Sequence, residues 1–144
     1  MSMAGNRSVP LSDSVAVFAG TANRPLASAV ATELGIALGA CTIERFPDGE
    51  VAVELEESVR GRDVFIVQPT APPVNDHLSE ILVFADACRR ADAKRVTAIV
   101  PYFGYARSDK REGRRVPVTA RAVAELMEAV ARLKALEKIR KNTR

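Results

Sequence analysis

The chain contains few of the residue types from which catalytic and metal sites are commonly built. Its 144 residues include one histidine, His77, and two cysteines, Cys41 and Cys88. No cysteine or histidine cluster has metal-ligand spacing, and a lone histidine at a predicted helix start provides no Ser-His-Asp set. Two cysteines also predict no disulfide framework, so we expect reduced, buried thiols in a cytoplasmic protein.

Several sequence motifs are missing as well. Neither G-x-x-x-x-G-K-[ST] nor G-x-G-x-x-G occurs, which removes the two common nucleotide-binding loops from consideration. No apolar run approaches the length of a membrane span, and residues 1–13 lack the basic-then-apolar order of a signal peptide. The composition, with 47% hydrophobic and 27% charged residues, predicts one globular domain and no membrane association.

The positive net charge is confined to one end of the chain. Residues 131–144 hold six lysines and arginines against the single acid Glu137, so their net charge is +5 and the preceding residues sum to −2. A nucleic-acid-binding function would therefore depend on one short segment, and we do not expect a nucleic-acid partner.

Strand and helix signals alternate along the rest of the chain. Asp48-Gly49, between two alternating apolar stretches, predicts a β-hairpin turn. Asn75 or Asp76 is expected to cap the second long helix, and Thr119 to cap the last one. Alternation of this kind predicts an α/β fold with a mostly parallel sheet flanked by helices and one antiparallel hairpin. The strands are expected at residues 15–18, 41–46, 51–55, 64–67 and 95–101.

The strand predicted at residues 95–101 leads into a segment rich in cationic side chains. Ligands of open α/β sheets bind at the carboxyl ends of strands, and guanidinium groups match phosphate oxygens in geometry and charge. The segment therefore predicts a polyphosphate site, with a solvated charged loop as the alternative. Its cations before Thr119 are Arg107, Lys110, Arg111, Arg114 and Arg115.

Two further groups of residues have a possible binding role. Phe46, beside the hairpin turn, could stack on a flat base while Asp48 and Glu50 accept hydrogen bonds; alternatively, Phe46 packs on its own sheet. Ser58 and Arg60 could belong to a site or to a solvated strand end.

Taken in order, these residues resemble the ribose-phosphate diphosphokinase family, the synthetases of phosphoribosyl pyrophosphate (PRPP). The resemblance covers about residues 15–130, and the five segments lie at family-like spacing. The segments are Phe-Ala-Gly-Thr-Ala-Asn (18–23), Arg-Phe-Pro-Asp-Gly-Glu (45–50), Glu-Ser-Val-Arg-Gly (57–61), Val-Asn-Asp-His-Leu (74–78) and residues 100–110, which include Tyr-Ala-Arg (105–107).

The resemblance implies a phosphoribosyltransferase-like fold and a defined reaction. Such enzymes transfer a diphosphoryl group from Mg-ATP to the 1-hydroxyl of ribose 5-phosphate, giving PRPP and AMP for nucleotide biosynthesis. They are homo-oligomers in which the hairpin of one subunit and the Tyr-Ala-Arg loop of its neighbour share one ATP. The resemblance thus implies Mg²⁺ as a cofactor and ATP as a ligand.

Roles for individual residues follow from the same resemblance. Phe46 would stack on adenine, with Asp48 and Glu50 reading the base and nearby groups. The phosphate and ribose side would be held by Arg107, Ser108, Asp109 and Lys110, although Ser108 stands where glutamine is usual. A regulatory phosphate or ADP site would use Ser58, Arg60 and Arg115.

The resemblance ends near residue 130, and this sets the expected domain organisation. We expect a disordered segment at 1–13, a PRPP-synthetase-like N-terminal domain at 14–130 and an atypical basic helical tail at 131–144. The family's metal-nucleotide histidine and its second domain, which binds ribose 5-phosphate, have no counterpart in these residues. The expected function is therefore the ATP-binding half of the enzyme, inactive by itself and binding ribose 5-phosphate only with a second domain. The alternative is a non-catalytic module that binds partner subunits.

Overall fold

The computed structural model describes residues 8–111 and 113–131. Strands and helices alternate as the sequence predicts. In chain order the elements are α1 (Leu11–Ser14), β1 (Val15–Ala19), α2 (Arg24–Glu33), β2 (Cys41–Arg45), β3 (Val51–Leu55), β4 (Asp63–Val67), α3 (Val74–Arg90), β5 (Arg95–Ile99), a 3₁₀ turn (Ala106–Ser108) and α4 (Thr119–Ala131).

Two separate sheets are formed. Strands β1, β4 and β5 make a parallel sheet in the order β1-β4-β5, while β2 and β3 pair antiparallel as a hairpin. The parallel strands begin in register, because Asp63 lies opposite both Val15 and Arg95. The α/β fold with one antiparallel hairpin is therefore confirmed.

Both faces of the parallel sheet are covered at β1 and β4, so most residues of these two strands are apolar, whereas Ile99 of β5 stays partly exposed. Val17 and Val67 point to one face and pack with Ala27 of α2. Phe18 and Ile66 point to the other face, where α3, α4 and the apolar side of the hairpin cover them. This arrangement leaves the strand ends as the places where polar loops gather.

The helix starts agree with the sequence only in part. Asn23 caps α2 as its side chain accepts a hydrogen bond from the backbone N–H of Leu26 at 3.1 Å. The expectation that Asn75 or Asp76 caps α3 is wrong, because the helix begins at Val74 and Pro73 is the cap residue. Both side chains already lie in the first turn and point to other elements instead. α4 begins at Thr119 itself.

The start of the described chain is attached to the domain by Arg62. Its Nη2 donates to the carbonyl oxygens of Ser12 at 2.6 Å and Val15 at 3.0 Å. The short helix α1 begins inside the segment expected to be disordered, residues 1–13, and ends one residue beyond it. Residues 1–7 of that segment, and residues 132–144 of the basic tail, lie outside the described residues.

Both cysteines are free, and we predict that their thiols react slowly in the folded chain. Burial, and to a lesser extent the nearby Cys41, raise the pKa of Cys88 to about 12, and burial also raises the pKa of half-buried Cys41. Since the thiolate is the reactive form, alkylation at neutral pH should be slow for both and slower for Cys88. Mass spectrometry of the native chain, with the urea-unfolded chain as control, measures this. Equal labelling rates in the two states would contradict the prediction.

Candidate functional site

The carboxyl ends of the three parallel strands meet at one edge, which we call the carboxyl edge. Three backbone hydrogen bonds continue the pairing beyond the strands there: Gly20 to Val67 at 3.1 Å, Gln68 to Ile99 at 3.0 Å and Thr70 to Tyr102 at 2.8 Å. The loops that follow the strands are therefore fixed side by side where ligands of open α/β sheets bind.

Two buried side chains tie these loops together. Gln68 is fully buried, and its Oε1 accepts a hydrogen bond from the backbone N–H of Ala22 at 3.0 Å. Gly20 permits this approach, because a Cβ at that position would collide with the Gln68 amide. Thr70 Oγ1 accepts a hydrogen bond from Gly104 N at 2.9 Å. Position 104 also requires glycine, because a Cβ there would lie 2.7 Å from the Thr70 carbonyl oxygen.

The segment after β5, which we call the arginine loop, covers residues 100–111 and 113–118. Its 3₁₀ turn closes with a 2.9 Å hydrogen bond from Ser108 N to the Tyr105 carbonyl, and the Tyr105 hydroxyl bonds to Asn75 Oδ1 of α3. A cavity of about 450 Å³ lies between this loop and the first turn of α3. Arg107 and Ser108 are among its lining residues.

The predicted cations of the arginine loop differ in their surroundings. Arg111 donates to the carbonyls of Gly113, at 2.8 Å, and of Arg114. In the part of the chain that the structure describes, no hydrogen bond or ion pair engages the exposed side chains of Arg107, Asp109 or Lys110. Arg107 is therefore a cation with a cavity beside it and no acceptor among the described residues.

The hairpin tip, residues 46–50, leaves its aromatic side chain partly exposed. Phe46 N donates to the Glu50 carbonyl at 2.8 Å and Gly49 N to the Phe46 carbonyl at 2.9 Å, with Gly49 at φ +94° as the turn requires. Phe46 is 46% exposed, so part of its side chain is accessible to a ligand. One carboxylate oxygen of Asp48 accepts from Glu50 N at 3.0 Å, which leaves its second oxygen for other donors.

Sequence reasoning missed Glu80 of α3, which is buried at 1% exposure near the carboxyl edge. Its carboxylate accepts hydrogen bonds from Thr21 N at 2.6 Å and Thr21 Oγ1 at 2.7 Å. The sequence spacing could have indicated that Glu80 is buried, since it lies one helical turn before the buried Phe84 and two turns before the buried Cys88. Its polar character alone suggests the opposite, a solvent-facing position.

The residues expected to form a regulatory site are not all brought together within one chain. Ser58 and Arg60 precede β4 at its amino end, and Arg60 Nη2 pairs with Asp92 Oδ2 at 3.0 Å just before β5. Arg115 belongs to the arginine loop, which follows the opposite end of β5. Among the described residues, no hydrogen bond or ion pair joins Arg115 to Ser58 or Arg60.

Metal-ligating side chains are not clustered in the described part of the chain. Nowhere in residues 8–111 and 113–131 do three His, Cys, Asp or Glu side chains converge on a possible ion position. The Nδ1 of His77 lies 2.6 Å from the Ala71 carbonyl oxygen, to which it donates, so this ring has a structural contact. The part of the chain that the structure describes therefore forms no dedicated metal site of this kind.

The comparison with solved structures defines the class of protein. The chain superposes on the crystal structure of phosphoribosylpyrophosphate synthetase from Mycobacterium smegmatis with a TM-score of 0.79 and 44% identity. The match covers 81% of this chain and 39% of that one. The fold is thus that of a phosphoribosylpyrophosphate synthetase domain.

The family model is more specific. Residues 15–131 match the N-terminal domain of ribose phosphate pyrophosphokinase, and the chain belongs to that family. Ribose-phosphate pyrophosphokinase 2, chloroplastic, of rice is 55% identical over 77% of this chain, and the Agrobacterium fabrum ribose-phosphate pyrophosphokinase is 55% identical over the same share. These matches cover 28% and 36% of the two relatives, so the chain spans about a third of their length. The resemblance stated from sequence is confirmed.

In the described ranges of the chain, no helix is both long enough and apolar enough to cross a membrane.

Proposed function

We propose that this chain contributes the ATP-binding half of a ribose-phosphate pyrophosphokinase, which forms PRPP and AMP from ATP and ribose 5-phosphate. One arrangement carries the proposal: the chain presents a half-exposed aromatic on a fixed hairpin tip and, beside a cavity at the carboxyl edge, an arginine with no partner among the described residues. An adenine and a polyphosphate are the ligand groups that suit these two features.

The role proposed for each residue follows from the chemistry of its side chain. Phe46 stacks on adenine, and the second oxygen of Asp48 together with Glu50 accepts hydrogen bonds from the base or sugar. Arg107 and Lys110 bind phosphate oxygens, while Ser108 and Asp109 contact the phosphate and ribose side. Phosphoryl transfer depends mainly on positioning and charge neutralisation, so a cationic loop on a fixed scaffold suits it.

Magnesium is proposed to enter as part of Mg-ATP. The described residues converge on no metal position, and magnesium is commonly bound through substrate phosphates with few protein ligands. In that complex the ion neutralises phosphate charge, and this chain's contribution is the arginine loop around the phosphates.

We further propose that two copies of the chain build one site, the hairpin tip coming from one and the arginine loop from the other. Exposed apolar side chains on and near the arginine loop support association, among them Tyr102, Val116 and Leu126. Ser58, Arg60 and Arg115 are proposed to form their regulatory phosphate or ADP site between copies as well, because one chain holds them apart.

The proposed domain is residues 14–130, and ribose 5-phosphate requires a second domain to bind. Cytoplasmic localisation stays a prediction.

The competing function is a non-catalytic module that binds partner subunits, and the same exposed apolar side chains favour it. The two functions differ in one property, since only the first needs nucleotide binding.

Calorimetric titration of the 144-residue chain with Mg-ATP, adenosine and inorganic tripolyphosphate tests the proposal. We expect saturable ATP binding that is tighter than binding of either fragment, because ATP alone reaches both features. A dissociation constant of about 1 mM corresponds to a binding free energy of only about 4 kcal/mol. Absence of binding at about 1 mM ATP would therefore contradict the proposal and favour the partner module.

A further inference from the structure

A single guanidinium joins the hairpin tip to the carboxyl edge. Arg45 is the last residue of β2 and directly precedes Phe46. Its Nη1 donates a hydrogen bond at 3.2 Å to the carbonyl oxygen of Gly49, a residue of the hairpin turn itself. The same guanidinium reaches α3, with Nη1 3.6 Å from Asp76 Oδ1 and Nη2 3.5 Å from the Asp76 carbonyl oxygen.

The third partner of this guanidinium is buried. Arg45 Nη2 lies 3.5 Å from Oε2 of Glu80, whose side chain is 1% exposed. A buried carboxylate is costly unless it is paired and hydrogen-bonded, and Glu80 has Thr21 and Arg45 as its partners. Glu80 therefore connects three elements: the loop after β1, helix α3 and the hairpin.

We propose that Arg45 is a positioning residue that fixes the hairpin tip so that Phe46 is held ready to stack on a nucleobase, with Glu80 orienting the guanidinium. The inference rests on the proposed ATP site. Arg45 itself is not a phosphate ligand, because its guanidinium is already directed at Gly49, Asp76 and Glu80. A planar fork contacts all three at once, whereas a lysine ammonium is a single point charge.

The role in base binding is tested by comparing ligands rather than by affinity alone. Arg45→Ala and Glu80→Gln should weaken Mg-ATP binding by about twofold to tenfold, the range of a lost aromatic contact, and leave tripolyphosphate affinity unchanged. Arg45→Lys should behave like Arg45→Ala. Adding Arg45→Ala to Phe46→Ala should cause no further loss, because both remove the same stacking contact.

A matched control is available at the other end of the sheet. Arg95 forms an ion pair with Asp63 at 2.7 Å at the amino ends of β4 and β5. Arg95→Ala removes an arginine–aspartate contact of better geometry, yet it should not change the ratio of ATP to tripolyphosphate affinity. A change in that ratio for Arg95→Ala, or equal weakening of both ligands by Arg45→Ala, would overturn the inference.

A second measurement needs no nucleotide. The chain contains no tryptophan, so Phe46→Trp introduces a single tryptophan at the hairpin tip whose fluorescence can be excited selectively. Its fluorescence anisotropy should fall when Arg45→Ala is added and stay constant when Arg95→Ala is added. An unchanged anisotropy with Arg45→Ala overturns the positioning role. A fall in anisotropy in a chain that binds no ATP supports the positioning of the tip and rejects only the proposed nucleotide function.

Discussion

Replacing Phe84 with alanine should lower the free energy of unfolding by about 3–5 kcal/mol. Phe84 lies in the middle of α3, is fully buried, and has its ring centroid 5.4 Å from that of Phe18 in β1. The substitution leaves a cavity between α3 and the parallel sheet that the surrounding core can fill only in part. A domain of this size has a total stability of about 5–15 kcal/mol, so much of it would be lost.

Urea denaturation followed by circular dichroism measures this loss. Val83 is the matched control, since it is the preceding residue of the same helix but is 36% exposed rather than fully buried. Val83→Ala should lower the free energy of unfolding by about 1 kcal/mol at most, because a smaller and partly exposed side chain loses less buried surface. A loss below about 1 kcal/mol for Phe84→Ala would contradict the packing of α3 on the sheet, because burial of such a ring is worth more.

Replacing Arg107 with alanine should have the largest effect on ATP binding among the proposed contacts. A hydrogen bond to a charged group contributes about 1.5–3 kcal/mol and an aromatic contact about 0.5–1.5 kcal/mol. Arg107→Ala should therefore weaken ATP more than Phe46→Ala does, and both more than Ser108→Ala. Calorimetric titration of the three variants gives the order.

Arg121 provides the control for the loss of positive charge. It is an exposed arginine of α4, paired with Glu125 at 2.8 Å, and lies outside the proposed site. Arg121→Ala should leave ATP affinity within about twofold of the wild type, because its guanidinium is already paired with Glu125 and exposed charges are screened by salt. An Arg107→Ala chain that binds ATP as tightly as wild type would reject the assignment of this residue.

The sequence was sufficient for the parts of the fold that depend on local pattern. Alternating strand and helix signals indicated a parallel sheet flanked by helices, and Asp48-Gly49 indicated the turn at which Gly49 has a positive φ. The position of the arginine loop at the carboxyl edge was also predictable, because the loop follows β5 and parallel strands end at a common edge.

The contacts that assemble the site were not predictable, because they join residues far apart in the chain. Glu80 and Thr21 are 59 residues apart, and neither composition nor spacing indicates that one buried carboxylate binds a loop on another strand. Asn75 and Asp76 fitted the pattern of helix caps, yet Asn75 bonds to Tyr105 and Asp76 lies beside Arg45. Their tertiary partners determined their role.

The measurement that tests the central claim most directly is ATP titration of an equimolar mixture of Phe46→Ala and Arg107→Ala chains. If the tip of one copy and the loop of another build each site, random pairing into symmetric dimers leaves about one quarter of all sites with both side chains intact. We predict wild-type affinity at that fraction of sites, while each variant alone shows only its own reduced affinity. A mixture without any site of wild-type affinity, from a wild-type chain that does bind ATP, would contradict a site shared between copies.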